Sequence, residues 1–346
     1  MNDASSLPTN EVQHALTDPL SQPSPTPEKP FAVRGIFFGK DGMRAGWSLL
    51  FFFAFMFGIL RGVNAISRLL HLAPPAPGAE ITSRFLFIGE CFPLLATIVV
   101  TWVMSQIERR PNSVYGLGGR RAVPNFFAGL AWGVTFLSLL VFTLSKTGLL
   151  VIDSRLLFGA EALRWGVVWL VGFILVGMFE EYLTRGYLLF TLTRGLAGAY
   201  TWLFKTPYGK PMGFWTAAVL LSVLFGLGHG TNPGESPIGL LSAGLVSLVF
   251  CLSLWRTGSL WWAIGFHASW DWAQSFLYGV ADSGIMVQHH LLATHPLGGP
   301  LMSGGSTGPE GSVFVLLILA LVSLVIVFTL PKTNYGISSE LAASGN

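Results

Sequence analysis

Glu180 and Glu181 stand side by side in VGFILVGMFEEYLTRGYLLF (171–190), a stretch otherwise almost wholly apolar, with Arg185 one helical turn further on. His267 and Asp271 share a tryptophan-rich apolar run, and His229 sits among glycines in FGLGHG (225–230). At i,i+4, Glu181 and Arg185 share a helix face and pair, which lowers the cost of both charges. Glu180 is turned about 100° from that face and is left for another partner. His267 and Asp271 are again i,i+4, so the carboxylate orients the imidazole or co-ligates a cation with it. The inventory suits water activation. The histidines would hold a divalent metal or the water itself, while Glu180 takes the water's proton as general base. Two histidines and a carboxylate are also a common catalytic zinc set that leaves one position for water.

Each feature alone has a plainer reading. A single intramembrane histidine serves as a hydrogen-bond partner between helices, and a glutamate pair near a helix end faces headgroup water. Three such features at fixed spacing on neighbouring late helices argue against coincidence.

The elements that carry them must be membrane helices. Of 346 residues, 52% are hydrophobic and 11% charged, with a mean hydropathy of +0.60. An ordinary globular domain carries about 25% charged residues, so lipid is the solvent this surface suits. Eight runs are long enough to cross a bilayer, at roughly 46–66, 85–105, 125–145, 165–189, 212–230, 237–255, 259–280 and 312–330. They are continuously apolar and not alternating, which predicts an all-α polytopic bundle and excludes a barrel. The net charge of +3 is no nucleic-acid signature. Basic residues cluster before the first span, at Arg109, Arg110, Arg120 and Arg121, and at Arg194, Lys205 and Lys210. That bias predicts a multi-pass plasma-membrane protein with both termini cytoplasmic. Residues 1–30 are polar and proline-rich, a disordered tail and not a signal peptide. Residues 71–80 read as a stiff outer loop, and the glycine-rich 295–311 as a flexible one. Cys91 and Cys251, far apart within spans, read as buried thiols and not a disulfide.

The motifs resemble a known family. EEYLTR matches E-E-x-x-x-R, FGLGH matches F-x-x-x-H and HASWD matches H-x-x-x-[ND], in that order. The chain is similar here to the membrane family of CAAX proteases and bacteriocin-processing enzymes, which includes the type II CAAX prenyl endopeptidase. The resemblance implies an intramembrane metallo- or glutamate endopeptidase acting on a membrane-embedded or lipid-anchored peptide or protein. The resemblance covers about residues 165–330 and implies a catalytic domain over 165–333; composition adds a disordered cytoplasmic tail over 1–39, N-terminal transmembrane helices over 40–164 and a C-terminal tail over 334–346. Glu180 would activate the water, and His229 and His267 would bind metal or water. Asp271, where many members have Asn, would position the water or help hold the oxyanion, and would assist the histidines with a metal, zinc being the expected one; a metal-free glutamate mechanism is the alternative. Glu181 and Arg185 would support, and Phe225 would pack beside His229. An ionised carboxylate at 271 cannot donate to an oxyanion.

Two other classes compete: a catalytically silent membrane scaffold or bacteriocin-immunity protein, and a proton-coupled transporter. Intact motifs favour the enzyme over the scaffold, and missing repeat symmetry disfavours the transporter. One tension concerns depth. Counted along the helices, Glu180 and His267 lie roughly 13–15 Å from the cytoplasmic ends, but His229 roughly 25 Å. Span five would have to tilt, start lower, or end mid-membrane with GTNPGESP dipping inward. Glu90 receives no role, Asn64 being the polar group offered as its partner. His289, His290 and His295 read as a solvated loop without an acidic companion. Trp261, Trp262, Trp270 and Trp272 suit either interfacial anchoring or cavity lining.

Overall fold

The computed structural model describes residues 34–39, 42–69, 79–119 and 121–332. The proline-rich 1–30, most of the 71–80 loop and the tail over 334–346 therefore lie outside the described residues. A single turn α1 (Arg34–Phe37) and the two-residue strands β1 (Phe38–Gly39) and β2 (Gly42–Met43) precede the bundle. Its helices are α2 (Ala45–Leu69), α3 (Ser83–Glu108), α4 (Ala122–Lys146), α5 (Gly159–Glu181), α6 (Leu189–Phe204), α7 (Gly209–Gly228), α8 (Pro237–Thr257) and α9 (Trp261–Trp272). A short α10 (Pro300–Ser303) and the apolar α11 (Phe314–Thr329) follow. Strands β3 (Leu150–Arg155) and β4 (Leu292–Pro296) pair antiparallel, with a register shift between Ile152 and Ser154.

The fold is an all-α integral membrane bundle. Six helical stretches among the described residues are long and apolar enough to span a bilayer, and Phe314–Thr329 is a shorter apolar one. The remaining expected span, 259–280, is α9 continued by a π turn over Ala273–Leu277. Most of α9 is buried by protein, including Trp262, Ile264, Phe266 and Asp271. Lipid exposure does not constrain it, so it carries more polar side chains than a span would. The fourth stretch is longer than its 165–189 expectation: it runs unbroken from Gly159 to Phe204, 46 residues. At 1.5 Å per residue that is about 70 Å, more than twice the roughly 30 Å hydrocarbon layer. α6 therefore extends beyond the span, ending in exposed Trp202, Leu203 and Phe204.

Sequence chemistry sets the helix ends. Thr82 caps α3 by accepting from the Phe85 N–H at 3.1 Å. Ser236 caps α8 by accepting from the Gly239 N–H at 3.0 Å, with Pro237 in the first turn. Close backbone approach sets the position of α9. A Cβ at Gly129 would lie 2.2 Å from the Trp262 carbonyl oxygen, and one at Gly133 would lie 2.4 Å from that of Phe266. G-L-A-W-G on α4 thus forms a small-residue contact of the kind that packs membrane helices backbone to backbone. Gly177 does the same for α5, where a Cβ would stand 3.1 Å from the Ile264 carbonyl oxygen. α9 is clasped between α4 and α5, and its functional face is held against the second.

The two ends of the bundle differ. One end is filled by Tyr115, Tyr187, Phe214, Leu254 and Leu260, all buried. At the other end the connections fold into a cap. Ile81 bridges to Val287, and Gly284 N–H donates to the Thr307 carbonyl. Ser306 and Thr307 hydroxyls both donate to the Gly234 carbonyl, at 2.7 and 3.1 Å. The 295–311 segment expected to be flexible is therefore a tied structure. Its glycines serve sharp turns, as at Gly304 and Gly308, whose φ values are 88° and 103°.

Candidate active site

The site is built around α9. His267 Nδ1 lies 2.9 Å from Glu181 Oε1, so the ring N–H donates to the carboxylate. The same oxygen accepts from Arg185 Nη1 at 2.9 Å. Glu181 and Arg185 form the i,i+4 pair expected, both nearly free of solvent. The sequence did not reveal that Glu181 also orients the imidazole. Its spacing offered Asp271 for that task, whereas the orienting carboxylate comes from another helix, at a distance in sequence that periodicity cannot read.

With Nδ1 engaged, His267 Nε2 faces two further carboxylates, 3.8 Å from Glu180 Oε2 and 3.5 Å from Asp271 Oδ2. Those separations exceed a direct hydrogen bond and suit a group shared between them. Glu180 Oε2 is buried without a protein partner. On α7, His229 Nδ1 lies 2.8 Å from the Phe225 carbonyl oxygen. A carbonyl only accepts, so Nδ1 carries the hydrogen and Nε2 keeps its lone pair. Phe225 packs on the His229 ring at 4.8 Å between centroids, and the Arg185 guanidinium lies over the Phe225 ring at 4.2 Å from its centroid. The aromatic ring thus ties the E-E-x-x-x-R helix to the F-x-x-x-H helix. Both acid-bearing helices widen immediately after their acids, into π turns over Tyr182–Leu188 and Ala273–Leu277. Such turns cluster at functional sites.

Glu180, His229, His267 and Asp271 all line one cavity of about 480 Å³. Leu224 also lines it and is 62% exposed, so the cavity reaches the outer surface of the bundle there. The depth tension has a simple resolution. α7 ends at Gly228, His229 is its C-cap, and Asn232 of GTNPGESP forms part of the wall.

Three acidic residues join that had no assigned role. Glu90 lines the cavity from α3, and Asn64, its suggested partner, is exposed elsewhere. Asp282 and Glu310 enter from the cap. Ser275 Oγ donates to Asp282 Oδ2 at 3.3 Å, and the Ser283 hydroxyl donates to Glu310 Oε1 at 3.0 Å. Burial pushes both cap carboxyls above the ordinary carboxylate range. For Asp282 the charges of Asp271 and Glu310 add to that; for Glu310 the Ser283 hydrogen bonds oppose it. The only sequence hint was that Glu310 is the sole acid in 295–311.

The loop histidines stay outside the cavity. His289 stacks on Trp165 at 4.0 Å, and His290 Nδ1 lies 2.7 Å from the Leu292 carbonyl oxygen. His295 does have an acidic companion, contrary to expectation: its Nδ1 lies 2.7 Å from Asp153 Oδ2 across the β3–β4 pair. The tryptophans divide, with Trp270 lining the cavity, Trp262 buried, and Trp261 and Trp272 donating to the Leu117 and Gly166 carbonyls. Cys91 and Cys251 are free thiols.

Zinc at a catalytic site takes three protein donors at about 2.0–2.2 Å. Among the described residues, no three His, Cys, Asp or Glu side chains converge as such a set. His229, His267 and Asp271 share the cavity, but in this arrangement they do not close into a three-donor site.

The bundle and its site define an integral membrane protein with buried acids and imidazoles around a cavity. Residues 162–273 match the family model described as Type II CAAX prenyl endopeptidase Rce1-like. That segment contains all three motifs, and the matched family is one of intramembrane CAAX-type endopeptidases. The match ends before the cap. No curated protein and no solved structure matches the chain.

Proposed function

We propose that the chain is an intramembrane endopeptidase in which Glu180 activates the attacking water. The observation that carries this reading is the fixed ring of His267. Its Nδ1 is held by Glu181, itself held by Arg185, so its Nε2 is presented to Glu180 and Asp271 inside the cavity. In the mechanism, a water hydrogen-bonded to Glu180 and the imidazoles gives its proton to the Glu180 carboxylate as its oxygen bonds the scissile carbonyl carbon. The protonated Glu180 then passes that proton to the leaving amide nitrogen as the C–N bond breaks. Asp271, an acceptor only when ionised, positions the water and does not serve the oxyanion. Membrane association of the substrate is supported by the matched family and by a cavity that reaches the bundle surface at exposed Leu224.

A zinc-dependent form of the reading requires His229, His267 and Asp271 to close around an ion. Elemental analysis of protein purified in mild detergent separates the two forms: close to one zinc per chain, with activity lost on chelation and restored by zinc, supports the metal form. Full activity in a metal-free preparation supports the glutamate form. The peptidase reading itself is tested by comparative proteomics of membrane fractions from cells expressing wild type or Glu180→Ala. A precursor that accumulates only with the variant is the expected result, and identical protein termini in both would overturn it.

A further inference from the structure

The cavity is lined by more acid than the proposed chemistry uses. Glu90, Glu180, Asp271, Asp282 and Glu310 all line it, against His229 and His267, and among the described residues no lysine or arginine does. Glu180 and Asp271 serve the reaction. Asp282 and Glu310 belong to the cap, beyond the segment that matches the family, and have no part in it. They are nevertheless firmly held. Ser275 lies one turn after Asp271 and lines the same cavity, and its hydroxyl donates to Asp282 Oδ2 at 3.3 Å. The residue after Asp282, Ser283, donates its backbone N–H and its hydroxyl to Glu310 Oε1, the hydroxyl at 3.0 Å. Asp271, Asp282 and Glu310 thus form a track of carboxylates leading from the His267 imidazole into the cap.

The track is set up to receive a cation. Each cap carboxylate has one oxygen held by serine, while the other accepts nothing from the described residues. Asp271 is only 7% exposed, yet no hydrogen bond reaches its carboxylate among the described residues, and its one ion pair is with His267 Nε2 at 3.5 Å. The Oε2 atoms of Glu90 and Glu180 are likewise buried without partners. Carboxylates so placed repel one another, and a buried charge without a partner is strongly destabilising. An entering cation relieves both. The acids do not converge as a metal set among the described residues. A guanidinium or ammonium group needs no such convergence, because it brings several donors of its own and meets separate oxygens with charge-assisted hydrogen bonds. The same cavity suits the stem of such a side chain. Trp270, Ile285 and Val315 line it and would cover the methylenes while the charged head reaches the acids.

We propose that Asp282 and Glu310, with Asp271 at the catalytic end, form a subsite for a lysine or arginine side chain, so that the enzyme selects substrates carrying a basic residue close to the scissile bond. This rests on the peptidase reading and narrows it to a substrate class. One helical turn, about 5.4 Å, separates Asp271 from Ser275, so a side chain that enters the subsite belongs to a residue near the bond held at Glu180. A neutral residue of the same shape leaves the carboxylates unpaired, which is how a polar site rejects an analogue.

The test has two arms, and the first measures binding without turnover. The probes are N-dodecanoyl-arginine methylamide and its citrulline counterpart, which has nearly the same shape without the charge. Each is titrated against the purified full chain in a neutral detergent. The expected result is that wild type binds the arginine probe roughly 10- to 100-fold more tightly. Asp282→Asn and Glu310→Gln keep the acceptors for Ser275 and Ser283; each should remove most of that difference and leave binding of the citrulline probe unchanged. Equal binding of the two probes by wild type would overturn the proposal, and so would a difference that survives both variants. Wild type alone decides where a variant fails to fold. The second arm maps the cut sites of precursors that accumulate with Glu180→Gln. A lysine or arginine within a few residues of the cut, whose replacement by glutamine raises KM more than it lowers kcat, supports the subsite. Cuts with no basic residue nearby overturn it and leave the peptidase reading intact. Selective arginine binding with no accumulating precursor keeps the cation subsite and removes the peptidase reading instead.

Discussion

Two glutamates within the same bundle have opposite surroundings. Glu108, at the filled end, accepts from the Tyr187 hydroxyl at 2.9 Å and has guanidinium nitrogens of Arg110 and Arg194 at 3.5 and 3.9 Å. Arg194 also donates to the Met43 carbonyl at 2.6 Å, tying α6 to the start of the bundle. Among the described residues no guanidinium is paired with the carboxylate of Glu180, at the cap end; its Oε2 faces a cavity and the Nε2 of His267. One carboxylate is neutralised and serves as a joint between helices. The other keeps its lone pairs for something that enters. A buried charge is costly, and where no partner offsets it, function is the more economical explanation.

That contrast makes its sharpest prediction at the two glutamates. Glu180→Gln preserves size and hydrogen bonding but removes the base, so turnover should fall about 10²–10⁴-fold or more with little change in thermal stability in detergent. Glu181 and Arg185 sit between the extremes, since their pair both neutralises charge and orients His267. Glu181→Ala and Arg185→Ala should each cost about 3–5 kcal/mol by stranding a buried partner, and the double variant should cost less than the sum. Strict additivity in unfolding experiments would argue against a direct pair. Glu108→Gln should lower stability by about 1–3 kcal/mol, because both arginines keep some solvent, and leave turnover of the folded protein near wild type. A large loss of turnover without loss of stability would erase the distinction between the ends.

The smallest effect concerns pH at the cap. Asp282 and Glu310 have carboxyls raised by burial. For an acid whose folded value is raised, the stabilising contribution is complete below the unfolded value, about 4, and is lost as pH rises through the folded value. The cap should therefore resist proteolysis better at mildly acidic than at neutral pH, and Asp282→Asn should flatten that dependence. A cap that loosens on acidification would contradict the assignment.

Much of this was legible in the residues. The apolar runs required a helical membrane bundle, and the i,i+4 spacing of Glu181 and Arg185 gave their pairing because it is local. The glycine pattern G-L-A-W-G in α4 was a readable signal for close helix packing that the reading did not use. What sequence could not show was mostly between elements: Glu181 reaching His267, Phe225 bridging Arg185 and His229, and Asp153 meeting His295 across two strands. The cap was misread for a physical reason. Glycine and serine composition resembles a free linker, yet here positive-φ turns and hydroxyl-to-carbonyl bonds fix the chain. Helix counting placed His229 far along its helix, and α7 does end just before it; what counting could not show is the side from which a cavity is entered.

The most direct test of the central claim uses a precursor identified by its accumulation, incubated in ¹⁸O-labelled water with purified wild type or Glu180→Gln. The account predicts that wild type cuts the precursor and places one ¹⁸O in the new carboxyl terminus, while the folded Glu180→Gln protein leaves it whole. Cleavage by Glu180→Gln at the wild-type rate would contradict the assignment of Glu180 as the base.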